Sequence, residues 1–188
     1  MATRRRKQRT RILVACEGAS ERGYGRWLQS ILDSQDYYVH IESWLPGRGG
    51  GDYLSLVEES IAYIEREKRR DRPYKITAIL LDTTQKGDSP ARDSKAEMLA
   101  RGKGIFVIWQ DPDHEAFLLR HLPGCETLKP PVGRTMAKLL ENIPTYKKGM
   151  PATELNRILN ADCLKRAYGA ETAFAAFLNE IETVTKSV

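Results

Sequence analysis

Three acidic residues close three successive apolar strand candidates in this 188-residue chain: Glu17 after RILVAC, Asp82 at the end of ITAILLD, and Asp111 after IFVIWQ. In a parallel α/β sheet, ligands gather outside the carboxyl ends of the strands. Carboxylates placed there converge from distant parts of the chain, and convergent carboxylates hold Mg2+ for chemistry on phosphate esters. A metal-dependent nuclease is therefore the first reading.

Each of these residues also has a plainer account. Glu17, in Cys16-Glu17-Gly18, sits at a strand-to-helix turn, where a carboxylate also favours the helix N-terminus through its dipole. Glu21 has the same alternative in the first helical turn, yet it shares a face with Tyr24 and Leu28 and so needs a partner. Asp82 ends a buried run, which is costly unless its carboxylate is hydrogen-bonded or bound to metal. Glu115, Leu118, Leu119 and Leu122 follow helical spacing, which puts Glu115 on an apolar face. His121 falls on a different face of that helix, so one straight helix does not aim both residues at one metal. It reads as a satisfied core histidine or as a residue behind the site. The segment Gly47-Arg48-Gly49-Gly50-Gly51-Asp52 is neither a P-loop nor a strand-linked GxGxxG. It is a flexible turn, or a loop that approaches a phosphate backbone with Arg48 as its contact. No zinc spacing, GxSxG or HExxH motif occurs.

The elements that must position these residues follow from periodicity. Strands are expected near 11–17, 38–45, 76–82 and 105–109. Helices are expected from Ser20 (Tyr24, Trp27, Leu28, Ile31 and Leu32 on one face), after an Asp52 cap, near 94–101, and over 113–122. Strands alternating with helices mean a mainly parallel sheet flanked by helices, an α/β fold of Rossmann-like class. The last third carries no strand signal and is expected to be helical over about 133–141, 152–167 and 170–185. The chain reads as a basic arm (1–10) and one domain (11–188) whose helical part begins near 130.

Composition narrows the class. The net charge is +5, but residues 1–11 hold Arg4, Arg5, Arg6, Lys7, Arg9 and Arg11 and no acid. They account for six of the 30 Lys and Arg, leaving 24 against 25 Asp and Glu. The basic character is thus a property of the arm, which suits non-specific phosphate contacts or simple solvation. No apolar run is long enough to span a bilayer. Three widely spaced cysteines read as reduced thiols in a cytoplasmic protein.

Cys16-Glu17-Gly18-Ala19-Ser20-Glu21-Arg22-Gly23-Tyr24 resembles the CEGxxTExxY signature of the RloB-like proteins of the Toprim superfamily, one residue tighter here. GRGGGDYLSLVEES is similar to that family's glycine-rich segment and D-P-x-x-L-V-E helix, with Tyr53 in place of the proline. Asp111–Leu122 resembles its S-N-P-x-F-E-x-W-L-L-L-H-F block, and Tyr146-Lys147 a Y-K element. The resemblance covers about residues 11–150. It implies a Toprim-like four-stranded parallel sheet, a phage-defence setting, and often an ATPase partner. It also implies that Glu17 is a general acid/base or metal ligand and that Asp82 is the first Asp of a Mg2+-binding D-x-D. The second Asp falls on Thr84, a weak neutral ligand, so Asp111 or Asp88 would have to compensate.

Together these point to a Mg2+- (or Mn2+-) dependent phosphodiesterase of RNA or DNA. In it Glu17, Asp82, Asp111 and Asp88 serve the metal, with Glu21, Glu115 and His121 behind them. Arg4, Arg5, Arg6, Arg48 and Lys147 would lie along the nucleic acid. The alternative is a catalytically degenerate Toprim-like subunit that binds nucleic acid or an ATPase. A small nucleotide-binding α/β protein is a further reading, from fold analogy alone.

Overall fold

Four short strands, largely apolar except for the mixed Val39–Trp44, form one parallel sheet in the computed structural model, which describes residues 8–47 and 52–186. The strands are β1 (Thr10–Cys16), β2 (Val39–Trp44), β3 (Ile76–Asp82) and β4 (Phe106–Gln110). Their order is β2-β1-β3-β4, and every neighbouring pair is parallel. The chain therefore moves outward from β1 to β2, then crosses back to β3 and β4. The point of reversal lies between β1 and β3, where doubly wound sheets open a crevice at their carboxyl ends.

Helices cover both faces, as the largely apolar strands require. Helices α2 (Tyr53–Arg69) and α3 (Pro90–Gly102) bury Leu54, Val57, Ala96 and Ala100 against Ala15, Ile79 and Leu81. On the other face, α1 (Ala19–Ser34) packs Tyr24, Trp27, Leu28 and Ile31 onto Ile12, Val14 and Leu80. It shares that core with α4 (His114–Leu119), α5 (Thr135–Asn142), α6 (Ala152–Leu155), α7 (Ala161–Ala170) and α8 (Thr172–Lys186). The α/β class with a helical C-terminal part is as the sequence indicates.

Two helices end differently from expectation, for visible reasons. The helix expected over 152–167 is broken into α6 and α7. Leu159 gives its carbonyl to the Trp27 indole N–H (3.3 Å), and the Asn160 side chain accepts from the amides of Asp162 and Cys163, capping a new helix. The helix expected to reach Leu122 stops at Leu119, because His121 and Leu122 bond three residues back rather than four.

At the amino side of the sheet, a polar knot ties β1, β2, α2 and the entry to β3. The nearly buried Arg11 guanidinium lies 2.8 Å from Glu42, 3.4 Å from Glu67 and 3.0 Å from the Tyr74 hydroxyl, which itself donates to Glu42 at 2.7 Å. A buried ion pair of this kind fixes geometry more than it adds stability.

Two glycines let α1 seat closely. A Cβ on Gly25 would lie 2.5 Å from the Ser43 hydroxyl of β2, and one on Gly23 only 2.2 Å from the Met150 carbonyl. The second contact is with backbone, so the neighbour cannot rotate away. Gly23→Ala is expected to lower stability by about 1–3 kcal/mol through overpacking. Gly102→Ala, at the end of α3 with no atom near its Cβ position, should be neutral or slightly stabilising. Urea unfolding of the two variants checks this; equal stabilities would contradict the seating of the 144–151 loop on α1.

Candidate functional site

Glu17 and Asp82 meet at the crevice between β1 and β3. Glu17 lies one residue beyond β1, where the chain turns through Gly18 into α1. Its Oε2 accepts the Asp82 backbone N–H at 3.1 Å, just past the last register pair of the two strands, Cys16 and Leu80. The ladder itself thus brings these two acids together from positions 65 residues apart.

Asp82 faces the α1 and α4 side of the sheet, next to its register partner Gln110 on β4. Its Oδ1 is buried and has no hydrogen-bond partner among the described residues. Burial, first, and then the charges of Glu17, Glu21, Asp113 and Glu115 push its carboxyl up to about 8. Burial also raises Glu17, opposed by the Asp82 amide and reinforced by Glu21. Glu21 is buried in the first turn of α1. Burial raises it too, against the amides of Glu21 itself and Gly18.

Among the described residues the only cation paired with these acids is Lys148, which reaches Glu115 from an exposed loop. His114, the first residue of α4, is buried. Its Nδ1 lies 2.8 Å from the Gln110 side-chain nitrogen and 3.9 Å from Glu21. Burial drives it down to about 4, so the imidazole is neutral at physiological pH. Glu115 is buried between the Tyr146 hydroxyl, which donates to it at 3.3 Å, and Lys148 Nζ at 3.6 Å. The loop carrying Tyr146 and Lys148 is pinned to α1 by the Gly149 amide, which donates to the Ser20 hydroxyl at 2.9 Å. Tyr53, first in α2, closes the other side. It donates nothing to the acids, but burial and then the charges of Glu17, Asp93 and Asp82 raise its phenol to about 12, its bond from the Gln85 amide notwithstanding.

The structure brings together Glu17, Glu21, Asp82 and Glu115 of the residues expected from sequence, and it adds Asp113. The other residues take different places. Asp111 is exposed and committed elsewhere: its Oδ1 accepts from the Thr83 hydroxyl at 3.2 Å and its Oδ2 lies 3.5 Å from Lys129. Asp88 and Thr84 are exposed on the turn after β3. Because the strand ends at Asp82, the two-residue period that would return position 84 to the face of Asp82 is broken. His121 does not stand behind the carboxylates. Its Nδ1–H donates to the Phe117 carbonyl and its Nε2 accepts from the Tyr24 hydroxyl, both at 2.9 Å, so it is the satisfied core histidine. Lys147 is exposed, and it is Lys148 that reaches the acids. Arg4, Arg5, Arg6 and Arg48 lie outside the described residues.

Sequence reasoning passed over Asp113, Gln110, His114 and Lys148. Asp113, expected only as the start of a helix, caps α4: it accepts from the Ala116 amide at 2.9 Å and from the Thr135 hydroxyl. Its proximity to Asp82 depends on β3 and β4 being neighbours, which periodicity does not reveal.

Among the described residues, no three His, Cys, Asp or Glu side chains converge as a metal-ligand group. In comparisons with family models, curated proteins and solved structures, nothing matches this chain.

The raised Asp82 carboxyl has a consequence for stability. Its folded pKa lies above the ordinary value of 3.8, so between about pH 4 and 8 the unfolded chain loses this proton while the metal-free folded chain keeps it. Stability is thus fully present below pH 4 and declines as pH rises through 8. Asp82→Asn removes that decline. In EDTA the variant should melt higher than wild type at pH 8, by at least the ~2 °C that about 1 kcal/mol produces in a chain of this size. The difference should shrink towards pH 4. Thermal melts across this range check it; a constant difference would contradict the burial of this carboxyl.

Proposed function

We propose that this chain is a Mg2+- or Mn2+-dependent phosphodiesterase of nucleic acid, centred on Glu17 and Asp82. One observation carries the reading: beside Glu17, at the reversal point of the sheet, Asp82 keeps a buried carboxylate oxygen unpartnered within a cluster of like charges. Buried polar atoms without partners are rare in native proteins and mark a missing ligand or water.

The residues suit a divalent ion of this kind. Mg2+ is usually held by one or two carboxylates, several waters and the substrate's own phosphates rather than by an all-protein cage. Glu17 and Asp82 supply that pair of oxygen donors, and Mn2+ accepts the same set. When bound, such an ion neutralises charge on the scissile phosphate and lowers the pKa of a water. Glu17 uses one oxygen to hold the Asp82 amide. Among the described residues nothing donates to the other, so it is free to take the proton of an attacking water. Glu115 anchors Tyr146 and Lys148, and the Lys148 ammonium draws phosphate towards the acids. The resemblance to RloB-like Toprim proteins supports the same chemistry. It extends the proposal to phage defence in the cytoplasm with an ATPase partner. Among the described residues no helix is long and apolar enough to cross a membrane.

The test is cleavage of labelled total tRNA, single-stranded DNA and duplex DNA with Mg2+, Mn2+ or EDTA. Wild type should cleave one class only with metal, and Glu17→Gln and Asp82→Asn should each lose about 100-fold or more. Undiminished metal-dependent cleavage in either variant would sink the reading. A second reading, a catalytically silent module that binds nucleic acid or an ATPase, is favoured by the exposed turn that carries Thr84 away from Asp82. It expects no cleavage, and a melting temperature unmoved by millimolar Mg2+ or Mn2+. The phosphodiesterase should instead be stabilised by metal.

A further inference from the structure

Beyond β4, Asp111 leads from the carboxylate site into an open cleft of about 610 Å3. Its most constrained side chain is Arg120, 4% exposed. The guanidinium is held along one edge: Nε donates to Glu171, and Nη1 donates to the carbonyls of Asp111 at 2.9 Å and Leu128 at 3.4 Å. Among the described residues nothing accepts from Nη2, although Arg120 lines the cleft. A guanidinium fixed in this way has only Nη2 left to offer an incoming oxyanion, and little rotamer freedom remains to be lost on binding.

Three further cations line the same space from different segments: Lys129, Lys165 and Arg166. The acids of the lining are each matched: Glu171 by Arg120, Asp111 by Lys129 at 3.5 Å and Glu126 by Arg166 at 3.7 Å. The lining itself carries four cations against three acids, and Lys165 is paired with Asp162 just outside it at 3.0 Å. The Lys129 and Arg166 pairs are long and partly exposed, and such pairs contribute little and exchange readily for a better acceptor. A phosphate accepts charge-assisted hydrogen bonds from several donors at once.

The cleft also adjoins the acids. The Thr83 hydroxyl holds Asp111 Oδ1, and Thr83 follows Asp82 directly, so the two sites share one rim. We propose that this cleft binds a backbone phosphate of a nucleic-acid strand through Arg120, Lys129 and Arg166, fixing where the strand crosses the carboxylate site. The identity of the strand rests on the function proposed above; the phosphate recognition does not require catalysis.

The experiment measures binding of a labelled single-stranded oligonucleotide, as RNA and as DNA, to the full chain in EDTA over a salt series. The Lys129→Gln/Arg166→Gln double variant should bind about 10-fold or more weakly at about 50 mM salt, and its salt slope should fall by about one per cation removed. A charge-matched control, Lys95→Gln/Lys103→Gln, removes two lysines that pair with Glu58 and Glu65 on the far face and should change little. Lys129, Lys95 and Lys103 are exposed, whereas Arg166 is half-buried and also reaches the His121 carbonyl at 3.5 Å, so an unchanged thermal melt of each double variant accompanies the binding comparison. Equal losses in the two double variants would reduce the effect to net charge and overturn the proposal, as would no loss in the cleft variant or no binding by wild type. Because metal is absent, failure of the phosphodiesterase reading shows in the cleavage assay and leaves this result separate.

Discussion

Several carboxyl groups held close together at the end of a sheet, outnumbering the single Lys148 ammonium paired with them among the described residues, are the constraint around which this molecule is built. Water would dissolve such a cluster, and a low-dielectric interior makes each charge raise the others' pKa. What prevents the acids from turning outward is backbone. Glu17 is tied to the Asp82 amide and Asp113 to the Ala116 amide as a helix cap, while Glu21 is buried in the first turn of α1, where the nearby amides of Gly18 and Glu21 favour its charged form. Each anchor holds a carboxyl in place while leaving the group short of positive charge. The deficit is met by protons, as the raised Asp82 shows, or by a cation that arrives from solution.

The fold's remaining devices serve that arrangement. Parallel pairing of β1 with β3 fixes Glu17 against Asp82, and pairing of β3 with β4 fixes Asp82 beside Gln110. The first turns of α1 and α4 then carry Glu21, Asp113 and Glu115 over the edge. Gly23 lets the 144–151 loop lie directly on α1, which is how Lys148 from the helical third reaches Glu115 on α4. The C-terminal helices are therefore part of the site's construction. Without them Glu115 would have neither Tyr146 nor Lys148.

Strand ends were legible in the sequence because buried parallel strands are nearly continuous apolar runs, and a carboxylate closing such a run stands out. Glu17 and Asp82 were found that way, as was the α/β class. Asp111 was misplaced by the same logic. Like Glu17 it lies one residue past its strand, but its side chain turns to Thr83 and Lys129, a choice of partner that periodicity does not contain. His114 and Gln110 were invisible because their meaning comes from strand order and register, which a single periodic pattern does not contain. The break between α6 and α7 was hidden for a related reason. The Leu159 carbonyl leaves the helix for an indole 132 residues away.

Thr84 is the feature that most separates this chain from the Toprim pattern it resembles, and the structure changes what the departure means. Position 84 is on an exposed turn, so an aspartate there would not face Asp82 in this backbone. Negative charge does reach Asp82 from α4, where Asp113 bears on it from across the strand boundary. Asp113 is not an equivalent ligand, because its oxygens already serve the Ala116 amide and the Thr135 hydroxyl. It contributes negative potential without coordination. A cation at this site would therefore be attracted by several charges but held by few oxygens, leaving coordination positions for water and for the phosphate of a substrate. That is the balance expected of a metal that must meet its substrate, and it differs from one that only staples a fold.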